Sequence, residues 1–183
     1  VQTGALPICP RRTRSRSPSS RTRHKVESPT SHGKTVSLAV ASSDARTVAV
    51  TGWPSVLTNK GVNESLFLSR DLGASWTDAF GNLRAATATV GLTRPTGLTF
   101  VDLDSDLALL VGTVSGVFVS KVSAPGKWTR LGTCAQLPIV LGYGLQYEAR
   151  SDTLVAATLG RGVYTLANAR AQIAAALSLS AVA

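Results

Sequence analysis

Leu66-Phe-Leu-Ser-Arg-Asp-Leu-Gly-Ala-Ser-Trp76 packs an apolar strand, a tight turn and an aromatic plug into eleven residues. Its spacing, Ser69-x-Asp71-x-Gly73-x-x-Trp76, asks for three things. A carboxylate must accept hydrogen bonds from turn N–H groups, a glycine must take positive φ, and an indole must fold back on its own strands. All four residues read as structural parts of one turn.

Outward from this stretch, residues 35 onward run as short alternating apolar segments, with turn residues every 8 to 12 positions, the texture of an all-β meander. The meander repeats. Asp106 and Asp152, Gly116 and Gly162, and Phe118 and Tyr164 are each 46 positions apart, and the segments from Asp106 and from Asp152 align without a gap. A period in the forties with several strands per unit predicts propeller blades. The expected blades are 35–83, 96–132 and 139–166, the last without a fourth strand, and the tail 167–183 is rich in helix-forming alanine. The predicted fold class is therefore all-β: a partial β-propeller of about three four-stranded antiparallel blades, with a basic N-terminal arm and a short Ala-rich C-terminal helix. Three blades do not close a ring, which takes at least about four. The sequence is thus expected to be the C-terminal part of a longer propeller, its open flank of apolar sheet covered by the remaining blades.

Charge is placed unevenly. Residues 1–34 hold eight Lys/Arg and one acid, so of the net +9 only +2 remains for the other 149 residues. The tract 11–25 has too few apolar side chains to offset the entropy of ordering it, and the arm 1–34 is expected to be disordered. Nucleic acid could bind only there, through phosphate neutralisation, but no aromatic is interleaved to stack bases. A solvated linker is the plainer reading, and an organelle transit segment and a splicing-type Arg-Ser tract are the others. Cys9 and Cys134 form no disulfide framework. No apolar run reaches the ~18 residues of a membrane helix, and no span is expected.

The turn at Ser69–Trp76 resembles the Asp-box, or BNR, repeat of β-propellers such as sialidases, xyloglucanases, sortilin-type receptors and photosystem II assembly factors. The last repeat, Leu137–Leu166, looks like a closing blade of BNR-like glycosidase relatives. The resemblance covers roughly residues 35–166. It implies that Ser69, Asp71, Gly73 and Trp76 brace a turn on one face of the disc, while ligands bind on the other. In the second repeat Ser120, Gly126 and Trp128 remain, but the aspartate is lost and the turn is one residue longer.

The first repeat is 11 residues longer than the others, and the opposite face receives the resulting loop, roughly 52–65, with Trp53, Lys60, Asn63 and Glu64. Arg94, in a link between blades, and Arg161, in the turn Gly160-Arg-Gly162, are expected on the same face. Trp53 suits stacking on a sugar ring or cover for its own blade; Arg161 suits pairing with a carboxylate or sulfate, or simply filling a turn. Asn63-Glu-Ser65 is an acceptor sequon if the chain is secreted. Asp102, Asp104 and Asp106 lack calcium-loop spacing and read as a solvated loop. No metal-ligand cluster, cofactor motif or Ser-His-Asp set is visible. A glycosidase needs two carboxylates flanking the bond, and the candidate face offers Glu64 alone.

The expected function is thus a non-catalytic recognition propeller, or a piece of one, binding a glycan or protein. The alternatives are the C-terminal part of a BNR-repeat glycoside hydrolase, exo-sialidase-like or xyloglucanase-like, with its carboxylates on missing blades, and a plastid photosystem assembly factor. An extracellular location is favoured over a plastid.

Overall fold

Five consecutive apolar residues, Leu107–Val111, cannot sit on a strand with one wet face, because successive side chains point to opposite sides. The computed structural model, which describes residues 33–54, 64–86, 93–133, 136 and 143–179, resolves that demand by stacking three antiparallel sheets. The first orders β1 (Gly33–Val40), β2 (Val48–Pro54), β3 (Ser65–Ser69) and β4 (Thr77–Asp78). The second orders β5 (Gly97–Asp102), β6 (Leu107–Thr113), β7 (Gly116–Lys121) and β8 (Thr129–Arg130). The third holds three strands, β9 (Tyr143–Glu148), β10 (Thr153–Thr158) and β11 (Gly162–Ala167). The chain is all-β as its patterning predicts, and the arrangement is compatible with a partial propeller-like fold. A one-turn helix α1 (Leu83–Ala86), absent from the sequence reading, follows β4, and α2 (Ala169–Leu179) closes the described chain.

The middle sheet is buried on both sides. Leu98, Phe100, Leu109, Val111 and Phe118 pack with Ala49, Leu66 and Leu68 of the first sheet. Val101, Ala108, Leu110, Val117 and Val119 pack with Leu154 and Ala156 of the third. The innermost strands β1, β5 and β9 are successive neighbours, so each sheet follows the last in a stack. Among the described residues the third sheet has three strands, and α2 packs on β7 and β8 through Ala169, Ile173 and Leu177, an i, i+4, i+8 stripe.

The gapless 46-residue alignment does not hold across the hairpins. Leu109 and Leu154, 45 apart, both face the preceding sheet, as do Phe118 and Tyr164, 46 apart. The added residue sits in the β10–β11 loop, three residues between the paired Thr158 and Gly162, against two between Thr113 and Gly116. A strand's period of two makes such a slip visible, because one residue out of register turns every side chain to the wrong face.

Phe118 fills the gap between the first two sheets and is almost wholly buried. Phe118→Ala is expected to cost about 3–5 kcal/mol in urea unfolding, whereas Leu159→Ala, at an exposed loop position, should stay within about 0.5 kcal/mol. Equal costs for the two would sink the stacked-sheet account.

Candidate functional site

Antiparallel connection sorts the loops to two ends. At the turn end lie the β1–β2, β5–β6 and β9–β10 turns together with the loops after β3 and β7. At the link end lie the β6–β7 and β10–β11 connections, Glu64 at the start of β3 and residues 93–96 entering β5.

The turn end is dense with carboxylates, and most of them are hydrogen-bonded. Asp71 Oδ1 accepts from Ser69 Oγ (2.8 Å) and Ser75 N (2.8 Å), and Oδ2 accepts from Ser75 Oγ (2.5 Å). Ser69 Oγ in turn accepts from Gly73 N at 2.8 Å. The Ser75 hydroxyl and amide, then Ser69, hold the Asp71 carboxyl down to about 2. Gly73 has φ +81°, and a Cβ there would come within 3.2 Å of the Trp76 ring, so the glycine allows both the turn and the indole's approach. Leu72 N donates to Arg46 O at 3.0 Å, which ties this loop to the β1–β2 turn.

That neighbouring turn has its own brace, since Asp44 accepts from Thr47 Oγ1 (2.8 Å) and Arg46 N (3.1 Å), lowering its pKa. Asp102 accepts from Ser42 and Ser43, sixty and fifty-nine positions away, and so links the first two sheets. Asp106 accepts from Leu107 N (2.8 Å) and from Ser123 Oγ, in the loop that has lost its own aspartate. These two carboxylates make their hydrogen bonds at the surface, and Asp104 between them is exposed. Tyr147 donates to Asp152 Oδ1 (2.9 Å) and accepts from Arg170 Nε (2.9 Å). Burial and then Asp152 push the Tyr147 phenol up. Arg170 N also donates to Asp152 Oδ1 at 3.1 Å, so this carboxylate caps the first turn of α2.

Between the ends, Trp128 locks the first sheet to the second. Its Nε1 donates to Ala79 O (2.8 Å), and its backbone N donates to Asn82 Oδ1 (2.7 Å). The backbones meet closely beside it, for a Cβ on Gly81 would lie 1.9 Å from Gly126 O.

At the link end, Glu64 accepts from Arg94 N (2.7 Å) and Thr93 N (3.2 Å), fastening the entry to β3 to the entry to β5. The expected binding acid is therefore hydrogen-bonded to backbone. Arg94 is exposed at φ +41°, and Arg161 is exposed between two glycines of positive φ. Trp53 lies near the end of β2, its backbone opposite Lys34. Lys60, Asn63, Cys134 and the basic tract 11–25 lie outside the described residues. Sequence reading missed the Asn82–Trp128 clasp, the Ser42/Ser43–Asp102 bridge and the Tyr147–Asp152–Arg170 set. Only the last carried a local signal, the five-residue spacing of Tyr147 and Asp152.

Two hollows flank α2. A cavity of about 250 Å³ is walled by Leu131, Leu154, Ala156, Tyr164 and Leu166, with Gln136 and Gln172 also lining it. A wider cleft of about 600 Å³ runs past Asp104, Asp106, Lys121, Asp152 and Arg170. Among the described residues, no three His, Cys, Asp or Glu side chains converge as metal ligands would, and no helix is long and apolar enough to cross a membrane.

No profile of a known protein family matches the chain, and no curated protein matches it in sequence. The fold defines a class by architecture: an all-β protein of three stacked antiparallel sheets, braced at one end by carboxylate turns.

Because the folded-state pKa of Asp71 is depressed from about 4, its hydrogen bonds stabilise the protein above that pH. That stabilisation is lost as the pH falls through about 2. Asp71→Asn should lower the Tm at pH 7, and the gap to wild type should close between about pH 4 and 2. A gap that is the same at both pH values would remove the carboxylate from this role.

Proposed function

We propose that this chain is a non-catalytic recognition propeller of the Asp-box kind, or a piece of one, which binds a glycan or protein through its link end. The observation that carries the reading is how the carboxylates are divided between the two ends. Carboxylates crowd the turn end and brace it. At the link end Glu64 is committed to two backbone amides, and Asp78, on the outer strand, accepts from Phe80 N at 2.8 Å. At the link end the described carboxylates Glu64 and Asp78 are thus both engaged by backbone amides, while Arg94 and Arg161 stand exposed.

An exposed guanidinium recognises planar anions through paired N–H donors, so the ligand best suited to Arg161 and Arg94 carries a carboxylate or sulfate. Trp53, near the end of β2, belongs to the same end and is the aromatic proposed to stack on a sugar ring. The same turn chemistry supports assigning Ser69, Asp71, Gly73 and Trp76 to structure.

The test is a panel of neutral, carboxylated and sulfated glycans offered to the full chain. Binding should favour the anionic members, weaken at least about tenfold in Arg161→Ala, and leave the Tm unchanged in that variant. A panel with no ligand, or a ligand indifferent to both Arg161→Ala and Arg94→Ala, would overturn the reading.

A further inference from the structure

The chain builds the same sheet-to-sheet interface twice. In the row that faces the preceding sheet, Leu98–Val111–Phe118 of the middle sheet and Leu145–Ala156–Tyr164 of the third are in cross-strand register. The next row holds Phe100–Leu109 and Tyr147–Leu154. The receiving faces also correspond. Ser37–Thr51–Leu66 of the first sheet matches Gly97–Gly112–Val117 of the middle one: small residues inside and a branched apolar residue on the third strand.

Among the described residues, each half of this interface occurs once more with no sheet packed against it. The outward side of the first sheet carries Leu38–Val50–Phe67 and then Val40–Val48, position for position the inserting rows. Val50, in the middle of the row, is itself buried at 6%, but none of the five belongs to either of the clusters packed between sheets. Leu38 is 59% exposed and Val40 50%, against 5% and 6% for their counterparts Leu98 and Phe100. The outward side of the third sheet carries Gly144–Ala157–Val163, the counterpart of Gly97–Gly112–Val117, followed by Gln146–Val155–Thr165. Val163 is 64% exposed where Val117 is 0%.

We infer that a second copy of this chain covers both faces: the first sheet of each copy seats on the third sheet of the other, making a closed pair of six sheets. The two open faces are unlike each other and fit in the sense that neighbouring sheets already fit. Pairing is therefore head to tail, and two copies related by a twofold axis satisfy both faces at once. Six sheets lie within the roughly four to eight over which radially stacked four-stranded sheets close. The outward row of the third sheet ends in Gln146 and Thr165, so this contact is more polar than the two internal ones and suits subunits that separate on dilution.

Analytical ultracentrifugation of the full chain over a concentration series tests this. Wild type should sediment as a dimer. Leu38→Lys and Val163→Lys, both at exposed positions that leave the far-UV CD spectrum unchanged, should each weaken association at least about a hundredfold by burying a charge. Mixing the two variants should restore dimers through the one interface with both faces intact. A monomeric wild type would mean that the open faces await sheets of another chain or of a longer one, and would overturn the proposal. So would dimers indifferent to Val163→Lys, which would mean like faces pairing, or assemblies larger than two.

Discussion

The two-sided burial of the middle sheet is the constraint on which the other features depend. A strand that reads Leu107-Ala-Leu-Leu-Val111 presents apolar side chains up and down in turn, and water is excluded from both only if a sheet lies on each side. Leu109 and Val111 then need Leu66 and Leu68, while Ala108 and Leu110 need Leu154 and Ala156. The one-sided solution of a wet antiparallel sheet is closed to this sequence. Stacking, once begun, also transfers the demand outward: each added sheet brings a face of its own that the next layer must cover.

The polar chemistry at the turn end follows from that stacking. Hairpins that must hold three sheets in register have their backbone donors ordered by short carboxylates, because an Asp reaches amides one to four residues away without ordering a long side chain. Asp71 does this within its own loop, and Asp44 within its own turn. The second sheet arrives at the same result by another route. Its loop has no aspartate at the corresponding position, and Asp106 reaches across from the β5–β6 turn to Ser123 instead. The third sheet has no such loop, and there Asp152 holds Tyr147 and the first turn of α2. One chemical task is thus met by four differently placed carboxylates.

Local signals account for what could be read from the sequence. The Ser69-x-Asp71-x-Gly73 spacing fixes a loop whose partners lie within six residues, and strand segments of period two announce themselves. The Asn82–Trp128 clasp joins residues 46 apart, and Ser42 and Asp102 are 60 apart; such pairs leave no spacing to find, because the fold alone brings them together. Glu64 shows how burial in a hydrogen-bond pattern changes a reading. As a carboxylate in a long insertion it suggests ligand contact, yet its two oxygens hold the amides of Thr93 and Arg94. The 46-residue alignment misleads for a related reason: identities at Asp106/Asp152 and Gly116/Gly162 hide a hairpin shortened at one end and lengthened at the other.

The helix α2 takes up burial beside the third sheet, which has three strands among the described residues. In the first two sheets the outer strand is entered from a tryptophan, and Trp128 supplies the large side chain between layers. The chain beyond β11 has none to offer, and instead a stripe of Ala169, Ile173 and Leu177 lies along β7 and β8. A helix is broader than a strand and cannot follow the edge of β11 as a fourth strand would. The result is the cavity walled by Tyr164, Leu166 and Leu131, left between a sheet edge and a helix that serves the same burial with a different shape.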